Sequence, residues 1–185
     1  IRSKNVNGYD FSKVLKEKVL YLSDKCNLDE EIVNDLIDMS DKYFKDNKFG
    51  LIHGDLHFDN FIYDGISLHL LDFERCMVAP IDYDFRIFSR YCVQPYLWAS
   101  AKTDMFTVES DYQNLMSLIL ENYPELSNIS YINERLDFYS IMESLENYKN
   151  TKDEERIEEV KEKLQRLKEQ EITLEVDEKA KKLIM

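Results

Sequence analysis

The sequence predicts an α+β fold that is mainly helical, with one small β-hairpin region among the helices, and three observations lead there. Glycine and proline are scarce, 4 and 3 in 185 residues, which suits long helices and argues against an all-β chain with many tight turns. Apolar residues recur at helical spacing near the start of the chain and again from Pro80 onward. Between these stretches lie short apolar runs broken by a strong turn signal. Hydrophobic residues make up 44% of the chain, with 12 Tyr and 10 Phe, enough apolar side chain to fold.

Two amphipathic helices open the chain. Phe11, Val14, Leu15, Val19 and Leu22 define the first, and Ile32, Val33, Leu36, Ile37, Tyr43 and Phe44 the second. Asn27 followed by Glu30 predicts a capping-box start for the second helix, and Asp46, Asn47 and Gly50 mark its end. Leu51-Ile52-His53, Phe61-Ile62-Tyr63 and Ile66 to Leu71 read as strands, the last two joined by an Asp64-Gly65 hairpin turn. Ile132, Leu136, Tyr139, Leu145 and Tyr148 define a late helix that Phe138 and Ile141 make apolar on more than one side, hence buried. In the Lys- and Glu-rich segment from Thr151 to Met185, Ile157, Val160, Leu164 and Leu167 form a seam too short for a coiled coil. The expected organisation is a body over 1–150, with its active loops at 51–75, and a charged terminal helix over 151–185 packed on it.

The formal charge is -13, of which residues 1–150 carry -11 (15 basic, 26 acidic) and residues 151–185 carry -2 (9 basic, 11 acidic). So acidic a body repels a phosphate backbone, so nucleic acid is not an expected partner, whereas a cationic small molecule would be drawn to it. Solubility is the blander reading of the same charge. Cys26, Cys76 and Cys92 are odd in number and lack CxxC spacing, which suggests neither a disulfide framework nor structural zinc; Cys76 reads as a small buried filler. No apolar run approaches a membrane span and the start shows no signal-peptide order, so the expectation is a cytoplasmic protein with no membrane partner. Because residue 1 is Ile, the chain is expected to be part of something longer.

The chemistry is concentrated in Leu51-Ile52-His53-Gly54-Asp55-Leu56-His57-Phe58-Asp59-Asn60, the hairpin, and Leu71-Asp72-Phe73-Glu74. Moving a phosphoryl group needs metal-neutralised charge, a positioned acceptor hydroxyl and a carboxylate to receive its proton. Asp55, Asn60 and Asp72, expected at the ends of adjacent short strands, can supply most of that. The step of five residues from Asp55 to Asn60 is the step between catalytic Asp and metal-binding Asn in protein kinases, and Asp72 stands as the Asp of their Asp-Phe-Gly loop. A neutral amide oxygen gives a hard cation a ligand without adding negative charge beside a triphosphate.

His-Gly-Asp-x-x-x-x-Asn, a hairpin and Asp-Phe-Glu together resemble the aminoglycoside phosphotransferase and choline kinase family, which has a protein-kinase-like fold. Pro80-Ile81-Asp82-Tyr83-Asp84-Phe85 is similar to that family's Pro-x-x-Asp-Leu element, with one extra residue if Asp84 is the matching Asp. The resemblance covers residues 51–86 and implies an ATP- or GTP-dependent kinase for a small hydroxylated molecule, such as an aminoglycoside or choline-like metabolite. By it, Asp55 would orient or deprotonate the acceptor hydroxyl, Asn60 and Asp72 would bind Mg2+, and Glu74 would be a further metal ligand. His53 and Asp84 would brace the catalytic loop, and His57 would be a loop filler or an acceptor contact.

Two other readings remain open. His53, Asp55, His57 and Asp59 alternate as in a metallohydrolase ligand run, although that leaves Asn60, the hairpin and Asp72-Phe73-Glu74 unexplained. A one-lobe binding or regulatory module that has lost the chemistry is the other. A complete kinase also needs a lobe with a Gly-rich loop, a strand Lys and a helix Glu. The residues before His53 read as helices, and Gly8 is the only glycine before Gly50, so the chain is expected to be the C-terminal lobe alone, with the N-terminal lobe as its missing partner. The isolated chain is expected to bind nucleotide weakly and not turn over.

Overall fold

The structure is a computed structural model that describes residues 10–93 and 107–184, with side chains through residue 170. Gly8 and Met185 lie outside the described residues. The protein is mainly helical, as its sequence predicts, and its strands form two small antiparallel ladders where one hairpin region is expected. It divides into two compact units: Ile1–Phe11 with Tyr43–Tyr139, and Ser12–Lys42 with Ser140–Met185.

The second unit is built from helices α1 (Phe11–Cys26), α2 (Glu30–Tyr43), α7 (Ile132–Thr151) and α8 (Glu154–Ile184), each over the residues that fall within it. Leu15, Val19, Leu22 and Cys26 of α1 are buried at steps of three and four, while Val14, expected on the same face, is exposed. Leu36 and Met39 of α2, Ile141, Met142 and Leu145 of α7, and Val160, Leu164 and Leu167 of α8 complete this core. Each such side chain contributes about 1.5–3 kcal/mol by leaving water. Asn27 does not start α2. It lies at φ 53°, and Leu28 N–H reaches back to the Ser23 carbonyl at 3.1 Å, so Asn27 is the left-handed stop of α1. The first turn of α2 closes instead on Asp29, whose carbonyl accepts from Val33 N–H at 3.1 Å.

The first unit carries the strands. β1 (Phe49–Ile52) pairs with β4 (Met77–Pro80) in the register Phe49↔Pro80 to Ile52↔Met77. β4 is absent from the sequence reading, and Pro80 ends a strand before the helical region begins. β2 (Phe61–Tyr63) and β3 (Leu68–Leu70) form the hairpin expected at Asp64-Gly65, with Ile66 in the turn and not in a strand. Asp64 Oδ1 accepts from Ile66 N–H at 2.9 Å and Ser67 N–H at 2.7 Å, and Gly65 takes φ 95°, a conformation that favours glycine. A 3-10 turn, Ile81–Phe85, follows β4 and leads into α3 (Arg86–Val93); further on come α4 (Glu109–Gln113), α5 (Leu115–Asn122) and α6 (Pro124–Ser127).

Two aromatic clusters hold this unit. Phe11, Phe44, Phe138 and Tyr139 meet at ring separations of 5.2–5.8 Å, and Phe58 stacks on Tyr91 at 4.9 Å beside Phe88 and Tyr112. The second cluster packs against the hairpin through Phe61 and against the loop of Asp55 through Leu56 and Phe58. The loop residues between the chemical groups are thus the anchors that fix its path. Among the described residues no helix is long and apolar enough to cross a membrane.

Candidate active site

β1 delivers the chain to His53, Gly54 and Asp55. Both carboxylate oxygens of buried Asp84 accept backbone N–H groups there, Oδ2 from His53 and Oδ1 from Gly54, each at 2.7 Å. The His53 ring is engaged at both nitrogens: Nδ1 accepts from Asp55 N–H at 3.3 Å and Nε2 lies 2.6 Å from the Leu71 carbonyl. One tautomer, protonated at Nε2, satisfies both contacts. Gly54 sits at φ +83°, and a Cβ on it would lie 2.3 Å from the Arg75 carbonyl oxygen. Only glycine permits this close approach of the two loops.

The second half of the site is the near end of the hairpin. The short 3-10 turn Phe58–Asn60 precedes β2, and its buried Asn60 turns its side chain back into the loop. Asn60 Nδ2 donates to the Asp55 carbonyl at 2.8 Å and lies 3.2 Å from His57 Nε2. Leu71, just past β3, donates its N–H to the Asn60 carbonyl at 2.8 Å and receives His53 at its own carbonyl. The Leu71 backbone, through its N–H and its carbonyl, therefore fastens the Asp55 loop, the Asn60 turn and the Asp72 loop together. Asp72 is left-handed, φ 58° and ψ 69°, one of the few residue types that tolerate this region and a common form of strain at functional sites. Phe73 then packs edge-on against the His53 ring at 5.1 Å.

The structure thus brings Asp55, Asn60 and Asp72 into one hydrogen-bonded frame, although their strands belong to two ladders and not to one row of neighbours. The Asp55 side chain is partly open, and its Oδ2 lies 3.6 Å from Arg75 Nη1. Asp72 and Glu74 are exposed. With the Asn60 nitrogen held, its Oδ1 is the side-chain atom that could serve a cation as ligand. Asn60, Asp72 and Glu74 make an all-oxygen donor set, which fits a hard cation such as Mg2+. No cluster of three or more His, Cys, Asp or Glu suited to a metal occurs among the described residues. His57 Nδ1 is 4.0 Å from Asp59 Oδ2, and His53 has both nitrogens occupied, so the alternating His/Asp series does not gather as a zinc site. Cys76, expected to be buried, is half-buried.

Three contributors escaped the sequence reading. Arg86 is buried, donating to the Tyr83 carbonyl at 2.9 Å and the Gly54 carbonyl at 3.1 Å. Arg75 approaches Asp55. Asp82 meets fully buried Arg135 through two bonds of 2.8 Å and accepts the Tyr139 hydroxyl at 3.0 Å. Burial, then the Asp82 charge, pushes the Tyr139 hydroxyl well above its ordinary pKa, so it stays a donor. Burial works against the Arg135 charge, but the Asp82 carboxylate outweighs it and the pKa is raised. The available signal was a run of charges at 82, 84, 86 and 90 inside an otherwise apolar stretch.

Residues 4–109 match the model of the Phosphotransferase enzyme family, a span that holds every residue from His53 to Arg86 discussed above. No curated protein and no solved structure matches the chain.

Proposed function

The chain belongs to the phosphotransferase enzyme family, and on that premise we propose that it transfers the γ-phosphate of ATP or GTP to a hydroxyl group of a small molecule. A cationic acceptor of aminoglycoside or amino-alcohol type suits the charge of -13. Asp55 receives the hydroxyl proton. Asn60, Asp72 and Glu74 hold Mg2+, which when bound neutralises charge on the phosphates. His53 and Asp84 fix the backbone from which Asp55 projects, and His57 is a contact on the acceptor side. The described residues act as the C-terminal lobe of a kinase-like fold, and a lobe with a Gly-rich loop and a strand Lys completes the nucleotide site.

The observation that carries this reading is the Leu71 backbone, which joins the loop of Asp55 to the Asn60 turn and the Asp72 loop through its carbonyl to His53 and its N–H to Asn60. Phosphoryl transfer is mostly positioning, and such a frame fixes the two loops relative to each other. The test is transfer of labelled γ-phosphate from Mg-ATP and Mg-GTP to a panel of aminoglycosides and amino alcohols by the full-length protein. Asp55→Asn is expected to lower kcat by about 10²–10⁴-fold, the usual worth of a general base. Full activity in Asp55→Asn would remove Asp55 from its role. Nucleotide binding without transfer to any acceptor would favour a non-catalytic module.

A further inference from the structure

We propose that Arg86 is a positioning residue that sets the direction of Asp55 by clamping the peptide bond before it. The proposal rests on Asp55 being the proton acceptor. The peptide that links Gly54 to Asp55 is gripped at both ends: its oxygen accepts from Arg86 Nη2 at 3.1 Å, and its N–H donates to His53 Nδ1 at 3.3 Å. This is the peptide that most needs such a grip. Gly54 is left-handed at φ +83°, and glycine has the widest backbone freedom, so rotation of this one plane would swing the Asp55 carboxylate with little resistance.

Arg86 is itself held. It is 5% exposed, donates through Nη1 to the Tyr83 carbonyl at 2.9 Å, and lies with its guanidinium carbon 4.1 Å from the Tyr83 ring centre. It is the first residue of α3, two positions after Asp84. The turn and the first residue of α3 therefore carry, side by side, a carboxylate for the N–H groups of His53 and Gly54 and a guanidinium for the carbonyl of Gly54. A planar fork with separate donors can span the Tyr83 and Gly54 carbonyls together, whereas an ammonium is a single point. The charge-assisted bond to Gly54 is also stronger than a neutral donor would make.

Arg86→Met, Arg86→Lys, Asp55→Asn and the Arg86→Met/Asp55→Asn double variant test this in the full-length protein. Amide hydrogen exchange is the first readout. Arg86→Met is expected to speed exchange of the Asp55 amide on the order of tenfold or more, while the Leu71 and Ile81 amides, bonded to Asn60 and Lys48, keep their protection. Arg86→Lys restores part of it. The second readout is phosphate transfer from Mg-ATP to kanamycin or choline, where Arg86→Met should lower kcat about 10²-fold at unchanged nucleotide KM and cost nothing further once Asp55 is Asn. Unchanged Asp55 exchange would overturn the clamp. So would protection lost evenly across all three amides, or the same fold loss with and without the Asp55 carboxylate, since either marks a general structural role. Undiminished transfer by Asp55→Asn would instead sink the assignment of Asp55, with the exchange data still deciding the clamp.

Discussion

Asp82→Ala is expected to be among the most destabilising single changes in the first unit. Asp82 and Arg135 have side chains 0% exposed, and the carboxylate accepts two bonds from the guanidinium at 2.8 Å and one from Tyr139 at 3.0 Å. Removing it leaves a buried arginine charge with only neutral partners, the carbonyls of Tyr43 and Asp46, Oδ1 of Asn47 and the face of Phe44. Breaking a buried pair in this way costs about 3–5 kcal/mol. A folded protein has about 5–15 kcal/mol in total, so at least about a fifth of it is at stake. With a urea m-value of about 2 kcal/mol/M, the midpoint should fall by about 2 M at unchanged m. The double change Asp82→Leu with Arg135→Met removes both charges, so its cost should be smaller than the sum of the two single costs by at least about 1 kcal/mol. Additivity within about 0.5 kcal/mol, or a loss below about 1 kcal/mol for Asp82→Ala alone, would refute the view that the pair acts as a unit.

Two further changes separate strain from contact and titration from burial. Gly54→Ala and Gly65→Ala both place alanine at positive φ, but the added Cβ would lie 2.3 Å from the Arg75 oxygen at Gly54 and meets nothing within 4 Å at Gly65. Thermal denaturation should therefore show about 1 kcal/mol lost at Gly65 and at least about 2 kcal/mol more at Gly54, with phosphate transfer falling only for Gly54→Ala. Asp64 has its pKa lowered to about 2 by the Ser67 backbone N–H, then by His69 and the Ile66 N–H. A depressed acid stabilises the turn above its unfolded value of 3.8 and loses that contribution as pH falls toward about 2. Protection of the Ile66 and Ser67 amides should drop across this window in the native protein, and Asp64→Ala should abolish the dependence.

What could be read from the chain was what lies close together in it. The step from Asp55 to Asn60, the Asp64-Gly65 turn and the α8 seam each depend on residues a few positions apart, and the turn chemistry of Asp64 specifies a hairpin with no help from elsewhere. β4 escaped because its strand exists through pairing with β1, from Phe49↔Pro80 through Gly50↔Ala79 to Ile52↔Met77, and Pro80 argues locally for a break. Asn27 was misread because asparagine serves equally at a helix start and at a left-handed stop; the bond from Leu28 to Ser23 decides between them. Arg135 could not be foreseen as buried, since its carboxylate partner is 53 positions away. Charged side chains are expected outside unless the partner is known, and sequence does not display partners.

The same limit left open which aspartate after Pro80 serves the loop of Asp55, and the geometry divides the work. Asp82 and Asp84 lie two residues apart in the five-residue 3-10 turn, both buried, yet they take opposite kinds of partner. Asp82 accepts from a side-chain cation and a hydroxyl, Arg135 and Tyr139, and so ties the turn to the start of α7. Asp84 accepts two backbone N–H groups and so ties the turn to His53 and Gly54. The extra residue in Pro80-Ile81-Asp82-Tyr83-Asp84, compared with a Pro-x-x-Asp spacing, is taken up by this turn, which lets Asp84 reach the loop amides while Asp82 remains with Arg135. One aspartate cannot serve both places: a carboxylate bound to the two amides leaves Arg135 without its own, and one bound to Arg135 leaves the His53 and Gly54 N–H groups without their acceptor. The two acids are therefore not redundant, and the site depends on both, one for the ground it stands on and one for the direction of the loop.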